Sequence, residues 1–557
     1  MRHAFRIFSG IAGGLLASAA GMSTALAQVA LQDTNHVVII DRSGSMAGTR
    51  IDLAQRAAKT YWNTLVSTNV PASQSFTEML GVASYADTAS ITYPLTALPA
   101  SGLDTAVDAL VASGVTSIGA GLEQALAMLV AENPTKGPRE CVILLSDGQH
   151  NTPPAPSDFY ADYFSRVDEV HAIALGSGAD EAMMSDIAAN YGFSPGLYLR
   201  ADSDTELDQL ELIGAFNRMA NDCRDGGMID QVLTQIPPHA TTCADTLVSA
   251  AQIVDFTMIF VGDTAPDVHL QPPSLHPTPT ITEANHAGSG SDLTFFSADN
   301  FKRFSLNMTQ AYEEGFWQYC ATNSSDQPIY LYSAVSTLAD AIALRVTPSA
   351  LRVGAAPLVI EAEVTHLGSP VTGAVVSAEM ASPSGAVTPL SFHDDGAATH
   401  GDAVAGDGVY SVKVNQFSET GSHDITVFAD HAGSAGVPMF TRQHTFGIYK
   451  DPAPPCQDLG AMSSAIVASV SGSACFRIDR ANLPTAWTPA SLTLQMSPTD
   501  GVPLDGVSVS VNGGAPQSAP ANSWSSLTTL PFPGTAIDVF YQVDTTGSRQ
   551  LRIQWYP

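Results

Sequence analysis

The stretch that most constrains this chain is the apolar run His36–Ile40, followed directly by Asp41-Arg42-Ser43-Gly44-Ser45. An apolar run of this length predicts a short buried strand, which here ends in an aspartate. Two hydroxyls follow at alternate positions, and the glycine between them allows a tight turn. Because carboxylate and hydroxyl oxygens are hard ligands, this cluster suits Mg²⁺ or another small divalent cation rather than zinc or copper.

Two later segments supply the same kind of oxygen. Residues 113–119 are predicted to form a loop before a helix over Ala120–Glu132, and this loop offers the hydroxyl of Thr116. Residues 141–148 are predicted to form another buried strand that ends in Asp147. In an open α/β sheet the loops at the carboxyl ends of the strands meet at one edge, where ligands bind. The expected ligands of one metal site are therefore five side chains: Asp41, Ser43, Ser45, Thr116 and Asp147.

These five residues, in this order and context, resemble the metal-ion-dependent adhesion site (MIDAS) of the von Willebrand factor A family, which is D-x-S-x-S, then a Thr, then an Asp. The resemblance implies an α/β doubly wound, Rossmann-like domain. Alternating predicted strands and helices over residues 34–222 agree with such a domain. The alternative for an isolated Asp-x-Ser-Gly-Ser is a helix-entry turn capped by serine. The presence of Thr116 and Asp147 favours the metal site.

The resemblance also implies what the site does. Mg²⁺ is the expected cation, with Mn²⁺ and Ca²⁺ as alternatives. Only two of the five ligands are anionic, so the bound cation keeps positive character and an open coordination position. The expected partner is a protein that presents an Asp or Glu carboxylate to that position.

The pattern changes from helical to β beyond residue 226. Short strands separated by turn signals predict a β-sandwich over residues 228–346 and an immunoglobulin- or fibronectin-like sandwich over 347–449. A proline-rich linker follows at 450–456, and residues 457–557 are predicted to form a β-rich C-terminal domain. The expected fold class is therefore multidomain: an α/β doubly wound domain followed by β-sandwich domains.

This order of domains resembles the calcium-activated chloride channel regulator family over about residues 34–450. The most specific shared segments are Asp41–Met46, Thr116-Ser117-Ile118 with Gly121-Leu122, and Asp407–Ser411. That family carries a zinc metalloprotease domain before its A-domain. The present sequence contains no His-Glu-x-x-His motif, so self-cleavage is not expected here.

A second oxygen-rich stretch lies in a glycine-rich segment further on. Its candidate ligands for Ca²⁺ are four carboxylates: Asp394, Asp395, Asp402 and Asp407. Their spacing differs from that of the 12-residue EF-hand loop. The alternative is an exposed hairpin in which the Asp-Gly pairs serve only the geometry of the turns.

The N-terminus has the pattern of a secretory signal. Basic residues at positions 2 and 6 precede an apolar stretch over 7–22, and Ala25-Leu26-Ala27 follows as a cleavage signal. Residues 1–27 are therefore expected to be a signal peptide that is cleaved near Ala27, and the protein is expected to be secreted, periplasmic or extracellular. No later stretch approaches the ~20 apolar residues of a membrane span, so none is expected.

Six cysteines in an oxidising compartment favour disulfides. Proximity in sequence predicts the pairs Cys223–Cys243 and Cys456–Cys475. Cys141 lies inside a predicted buried strand, where it is expected to be a free thiol.

The net charge and the absence of catalytic motifs limit the functions that this chain is expected to have. The formal net charge of −31 argues against nucleic acid as a partner, because nucleic-acid binding needs a basic surface. The chain contains neither a Walker loop nor a Gly-x-Ser-x-Gly elbow. We therefore expect a metal-dependent protein-binding or adhesion protein and not an enzyme. Two alternatives stay open: a secreted hydrolase whose A-domain docks the substrate, and a self-assembling surface protein. The sequence leaves the oligomeric state undetermined.

Overall fold

The computed structural model describes residues 31–71, 76–354 and 357–452, together with the backbone of strands within 457–556. These residues form two compact units. The first unit lies within residues 31–351, 359–412 and 422–449, and the second within 352–358, 413–421 and 450–557. The predicted signal peptide at 1–27 lies outside the described residues. No helix in the described ranges is both long and apolar enough to cross a lipid bilayer.

The N-terminal part of the first unit is an α/β domain, which confirms the predicted doubly wound fold. Its strands and helices, in chain order, are β1 (Thr34–Asp41), α1 (Thr49–Val66), β2 (Glu78–Tyr85), β3 (Ala89–Ala97), α2 (Leu103–Asp108), α3 (Ile118–Glu132), β4 (Arg139–Ser146), α4 (Tyr160–Phe164), β5 (Glu169–Leu175), α5 (Glu181–Asn190), β6 (Tyr198–Ala201) and α6 (Glu206–Asp222). The sheet order is β3-β2-β1-β4-β5-β6, and only β3 runs antiparallel to its neighbour.

The burial of this sheet explains the apolar runs of the sequence. Strands β1 and β4 lie at the centre, and the side chains of Val37–Ile40 and Val142–Leu145 are fully buried. A strand covered by helices on both faces needs apolar residues at successive positions rather than at alternate ones. The chain leaves β1 towards β2 on one side and returns to β4 on the other. The order of the strands therefore reverses between β1 and β4, which is where an open α/β sheet forms its ligand crevice.

The next part of the first unit is the predicted β-sandwich. Its strands are β7 (Gly227–Ile236), β8 (Thr241–Val248), β9 (Ala251–Val261), β10 (Asp267–Gln271), β11 (Ile281–Thr282), β12 (Asp292–Ala298), β13 (Phe301–Asn307), β14 (Gly315–Thr322) and β15 (Ile329–Asp340). One sheet contains β12-β13-β9-β15-β7 and the other β11-β10-β14-β8. The buried ring of Trp317 packs against Phe256, with ring centroids 5.4 Å apart, in the core of this part.

An immunoglobulin-like part follows. Its strands are β16 (Ile342–Pro348), β17 (Arg352–Val353), β18 (Leu358–His366), β19 (Ser369–Pro370), β20 (Val375–Ala381), β21 (Val387–Ser391), β22 (Val409–Val414), β23 (Gly421–Ser434) and β24 (Val437–Lys450). Strands β24-β23-β20-β21 continue the large sheet of the sandwich, because β24 pairs with β7 at Gln443 and Met228. One sheet thus runs through both predicted β-domains.

A buried polar cluster joins the α/β domain to the sandwich within the first unit. Arg303 on β13 is fully buried, and its guanidinium donates to the Thr64 carbonyl near the end of α1 (2.7 Å) and to Asp255 (3.2 Å). Beside it, Arg224 Nε lies 2.9 Å from Glu78 Oε1. Burial lowers the pKa of Arg303 to about 10 and raises the pKa of Glu78. Each of these costly buried charges therefore has a partner of opposite sign.

Two disulfides lie in the described chain, and both differ from the expected pairing. Cys141 on β4 is bonded to Cys223 at the end of α6, and Cys243 on β8 is bonded to Cys320 on β14. The predicted Cys223–Cys243 bond and the free thiol at Cys141 are wrong. Packing of α6 against the sheet and the direct pairing of β8 with β14 bring partners together that lie 82 and 77 residues apart in sequence. The predicted Cys456–Cys475 pair lies outside the described residues.

The second unit is rich in β-strands, as predicted. Its C-terminal strands are β25 (Gln457–Asp458), β26 (Ala465–Ser471), β27 (Ser473–Asp479), β28 (Ser491–Pro498), β29 (Val507–Val511), β30 (Gln517–Ser518), β31 (Ser525–Pro531), β32 (Ala536–Val543) and β33 (Ser548–Tyr556). They form one sheet of order β25-β27-β32-β29-β30 and another of order β26-β33-β28-β31.

Candidate metal centre

The carboxylate of Asp41 is fixed at the carboxyl end of β1. It is fully buried, and its Oδ1 accepts the Ser43 backbone N–H at 2.8 Å. Its Oδ2 accepts the hydroxyls of Ser146 (2.8 Å) and Tyr85 (3.1 Å). The Ser43 side chain also hydrogen-bonds to this carboxylate. Asp41 is therefore held in place by donors from the ends of β2 and β4 and from the turn that follows β1.

A chain of hydroxyls connects this strand end to the next one. The Oγ atoms of Ser43 and Ser45 lie 3.0 Å apart, and the hydroxyl of Ser45 donates to Asp147 Oδ1 at 2.6 Å. The Ser43 hydroxyl therefore lies within hydrogen-bond reach of both Ser45 Oγ and the Asp41 carboxylate. Adjacent parallel strands β1 and β4 thus place both aspartates and both serines at one edge of the sheet.

The loop that carries Thr116 is bonded to the same edge. Gly44 N–H donates to the Gly114 carbonyl (2.9 Å), and Ser113 N–H donates to the Arg42 carbonyl (2.7 Å). The side-chain oxygen of Asn151 accepts the Thr116 N–H at 3.0 Å, and the Asn151 N–H donates to the Thr116 carbonyl at 3.0 Å. These bonds fix the position of the Thr116 backbone against the serine motif and the segment after β4.

A glycine leaves room between the two parts of the site. A Cβ atom on Gly148 would lie 3.1 Å from Thr116 Oγ1 and 3.6 Å from Ser45 Oγ. The space beside Asp147 is therefore lined by hydroxyl oxygens from two loops. The structure brings the five predicted side chains to one place, and this all-oxygen set fits a hard divalent cation.

Charge in the site is balanced by an arginine that sequence reasoning did not identify. Nη1 of Arg50, in the first turn of α1, lies 2.8 Å from Asp147 Oδ2, and the Asp147 side chain is fully buried. Burial is the main cause that raises the pKa of Asp41, and the nearby Asp147 raises it further. The hydrogen bonds from Ser43 and Ser146 oppose this shift. A cation at the site would relieve the repulsion between the two aspartates.

Three other supporting residues were also missed. Tyr85, Ser146 and Asn151 hold Asp41 or Thr116 and are not among the predicted ligands. Tyr85 ends β2 in register with Asp41, and Ser146 directly precedes Asp147. The positions of Tyr85 and Ser146 at strand ends could have identified them as supporting residues. Nothing in the sequence indicated the role of Asn151.

The second predicted group of carboxylates is divided by the structure. Oxygens of Asp394, Asp402 and Asp407 lie within 4.8 Å of one another, and each of these side chains accepts backbone N–H groups of its own loop. Asp395 is outside this group, because its carboxylate pairs with His400 at 2.9 Å. A Ca²⁺ site at the first three residues stays a prediction.

Comparison with known families agrees with this architecture. A model of the von Willebrand factor type A domain matches residues 36–149, and a model of the second Ig-like domain of conditioned medium factor matches residues 349–448. The chain therefore contains a von Willebrand factor type A domain followed, further along the chain, by an immunoglobulin-like domain.

Curated relatives extend the likeness over most of the chain. It is 25% identical to calcium-activated chloride channel regulator 1 of Equus caballus over 427 residues, which are 74% of this chain and 43% of that protein. It is 24% identical to calcium-activated chloride channel regulator 4 of Homo sapiens over 417 residues, which are 71% of this chain and 41% of that protein. The chain thus spans less than half the length of these relatives.

Two solved structures are similar to part of the chain. A von Willebrand factor type A protein from Catenulispora acidiphila aligns with a TM-score of 0.29 and 16% identity, covering 60% of this chain and 65% of that one. Proximal thread matrix protein 1 from the mussel byssus, with a zinc-occupied MIDAS motif, aligns with a TM-score of 0.27 and 18% identity, covering 37% of this chain and 50% of that one.

Proposed function

We propose that this chain is an exported, non-catalytic protein that binds a protein partner through a divalent cation in its A-domain. The observation that carries the proposal is the convergence of two carboxylates and three hydroxyls beside Gly148, at the edge where β1 and β4 end. No nitrogen or sulfur ligand belongs to this set, which favours Mg²⁺ over zinc or copper.

Each of the five residues has a distinct role in this proposal. Asp41 offers a carboxylate oxygen, directly or through a water, and Asp147 supplies the second negative charge. The three hydroxyls, on Ser43, Ser45 and Thr116, complete the shell. When bound, the cation supplies positive charge and a coordination position that accepts a carboxylate from the partner.

The domain content supports a binding role more than a catalytic one. The A-domain and the immunoglobulin-like domain are both present, and the sequence contains neither His-Glu-x-x-His nor Gly-x-Ser-x-Gly. Export rests on the predicted signal at residues 1–27. We propose no role in channel regulation for this chain, because it spans less than half the length of the relatives that are named as channel regulators.

The proposal is tested by partner capture with a hydroxyl variant. Thr116→Ala removes one proposed ligand, keeps both carboxylates and leaves the core intact, so we expect cation-dependent partner capture to fall about tenfold or more without loss of folding. The measurement is pull-down from native extract in Mg²⁺ and in EDTA, followed by the affinity of the purified partner. Thr88→Ala, at an exposed turn of the same domain, is the matched control and should bind as wild type. Equal partner affinity for wild type and Thr116→Ala would place the interface on the β-domains.

Arg50 competes with the cation for Asp147 in this proposal. Arg50→Gln removes a positive charge 2.8 Å from Asp147, so we expect Mn²⁺ to bind roughly tenfold more tightly, about 1.4 kcal/mol. The cation-free variant should also unfold at lower temperature than wild type, because Asp147 loses its partner while buried.

The measurements for Arg50→Gln are calorimetric titration with Mn²⁺ and thermal unfolding with and without EDTA. Arg56→Gln is the matched control, since Arg56 lies on the same helix but pairs with Gln209 instead. If Arg50→Gln and Arg56→Gln bind Mn²⁺ equally, the guanidinium of Arg50 has no part in cation affinity.

A further inference from the structure

Two histidines and an aspartate form a cluster in the immunoglobulin-like part, away from the A-domain site. His393 and His400 lie in the segment between β21 and β22, and their rings stack with centroids 4.0 Å apart and planes 20° apart. Nδ1 of His400 lies 2.9 Å from Asp395 Oδ2. One ligand atom from each of the three side chains lies within 4.8 Å of the other two. We propose that His393, Asp395 and His400 bind a transition-metal ion of the Zn²⁺ class.

Most of the bonds that shape the loop do not involve these three side chains. The Asp394 carboxylate accepts backbone N–H groups from Asp407 and Gly408, and the Asp402 carboxylate accepts the Val404 N–H. The backbone of His393 is paired with Ser411 on β22. The segment is therefore held in place mainly by its own carboxylates and backbone groups.

The chemistry of the donor set identifies the class of ion. Two imidazole nitrogens and one carboxylate oxygen are the ligands of many zinc sites, whereas Mg²⁺ and Ca²⁺ prefer oxygen alone. Three protein ligands leave a fourth position for water or another ligand. The A-domain site contains no nitrogen ligand, so the two sites should select different metals.

The cluster is accessible to solvent, and its carboxylate is fixed in place. Asp395 Oδ1 accepts the Ala397 N–H at 2.9 Å, and its Oδ2 lies 2.9 Å from His400 Nδ1. The His400 and Asp395 side chains are 39% and 43% exposed, which lets the ion enter without opening the fold.

The structural alternative is an exposed histidine–aspartate pair with a stacked neighbour. Such a pair contributes little to stability, because solvent screens it and both side chains lose conformational freedom. Replacing His400 should therefore leave the fold intact under either interpretation. A measurement of metal binding distinguishes the two interpretations. Its result does not depend on whether the A-domain site binds a cation.

The test uses the full chain without a polyhistidine tag, in an Asp41→Asn background that disables the A-domain site. Titration with Zn²⁺ in excess Ca²⁺ and Mg²⁺ should show one ion bound per chain, and Co²⁺ should give a visible absorption band of a mixed nitrogen and oxygen site. His400→Gln and His393→Gln should each weaken Zn²⁺ binding at least tenfold. His366→Gln, on β18 of the same part of the chain, is the matched control and should bind as the parent.

The outcomes are decisive in both directions. Absence of Zn²⁺ binding in the Asp41→Asn chain, or Zn²⁺ binding that His400→Gln leaves unchanged, overturns the proposal. A wild-type chain that fails to bind Mg²⁺ but still binds Zn²⁺ in a His400-dependent way would refute the A-domain function and leave this site standing.

Discussion

Asp41→Asn should abolish cation binding at the A-domain, with a loss in affinity of about a hundredfold or more, about 2.7 kcal/mol. The substitution removes one of the two negative charges of the site and leaves the shape of the side chain unchanged. The fold should persist, because the amide oxygen still accepts the Ser43 N–H and the hydroxyls of Ser146 and Tyr85 can turn to accept from the amide nitrogen. Burial raises the pKa of Asp41, so removing its charge also removes an electrostatic cost of the cation-free state.

Calorimetric titration with Mg²⁺ and Mn²⁺ measures this effect. Wild type should also gain thermal stability on addition of Mg²⁺ by the linkage of binding to folding, about 2.7 kcal/mol at a hundredfold excess over Kd, and Asp41→Asn should not. Asp52→Asn is the matched control, because Asp52 is an exposed carboxylate in the first turn of α1. Equal affinities in wild type and Asp41→Asn would contradict the assignment of the cation to this site.

Loss of the Cys141–Cys223 disulfide should cause the largest change in stability. The bond closes a loop of 82 residues, so converting both cysteines to alanine should lower the free energy of unfolding by about 4 kcal/mol through the added entropy of the unfolded chain. Both residues are fully buried, and the alanines also leave unfilled space. The measurement is urea unfolding followed by circular dichroism.

The control for this prediction is the other disulfide. Removing Cys243–Cys320 opens a loop of similar length, 77 residues, but its anchors lie in the sandwich rather than in the A-domain. Hydrogen exchange should therefore accelerate in α6 only when the Cys141–Cys223 bond is absent. Unchanged exchange in α6, together with an unchanged urea midpoint, would show that packing alone holds this helix in place.

The fold of the A-domain, and the meeting of the five predicted side chains at one edge of its sheet, could be predicted because each signal is local. Apolar runs mark β1 and β4, and the polar residues that follow them must lie at the carboxyl edge of the sheet. Thr116 was found because it lies just before α3, whose start a serine at position 117 caps. Such signals depend only on the order of neighbouring residues.

The remaining features depend on packing between distant segments. Arg50 is one of several charged residues on α1, and only the folded sheet shows that it meets Asp147. Asn151 supports Thr116 across 35 residues, and Cys223 at the end of α6 meets Cys141 on β4 across 82 residues. Proximity in sequence therefore predicted the wrong disulfide partner for Cys223. The pairing of β7 with β24 could not be predicted either, because the residue pattern of each strand does not show which distant strand it pairs with.

The buried cluster around Arg303 limits how this molecule can be dissected. A fragment ending at residue 222 would lose Cys223, the anchor of the A-domain disulfide, and would also lose the Arg224 that pairs with Glu78. The same cut would remove Arg303 from the Thr64 carbonyl. An excised A-domain would therefore lack contacts that stabilise it in the full chain. Its measured stability and cation affinity would reflect the loss of those contacts as well as the properties of the metal site. Binding experiments on this protein should keep the A-domain and the sandwich on one polypeptide.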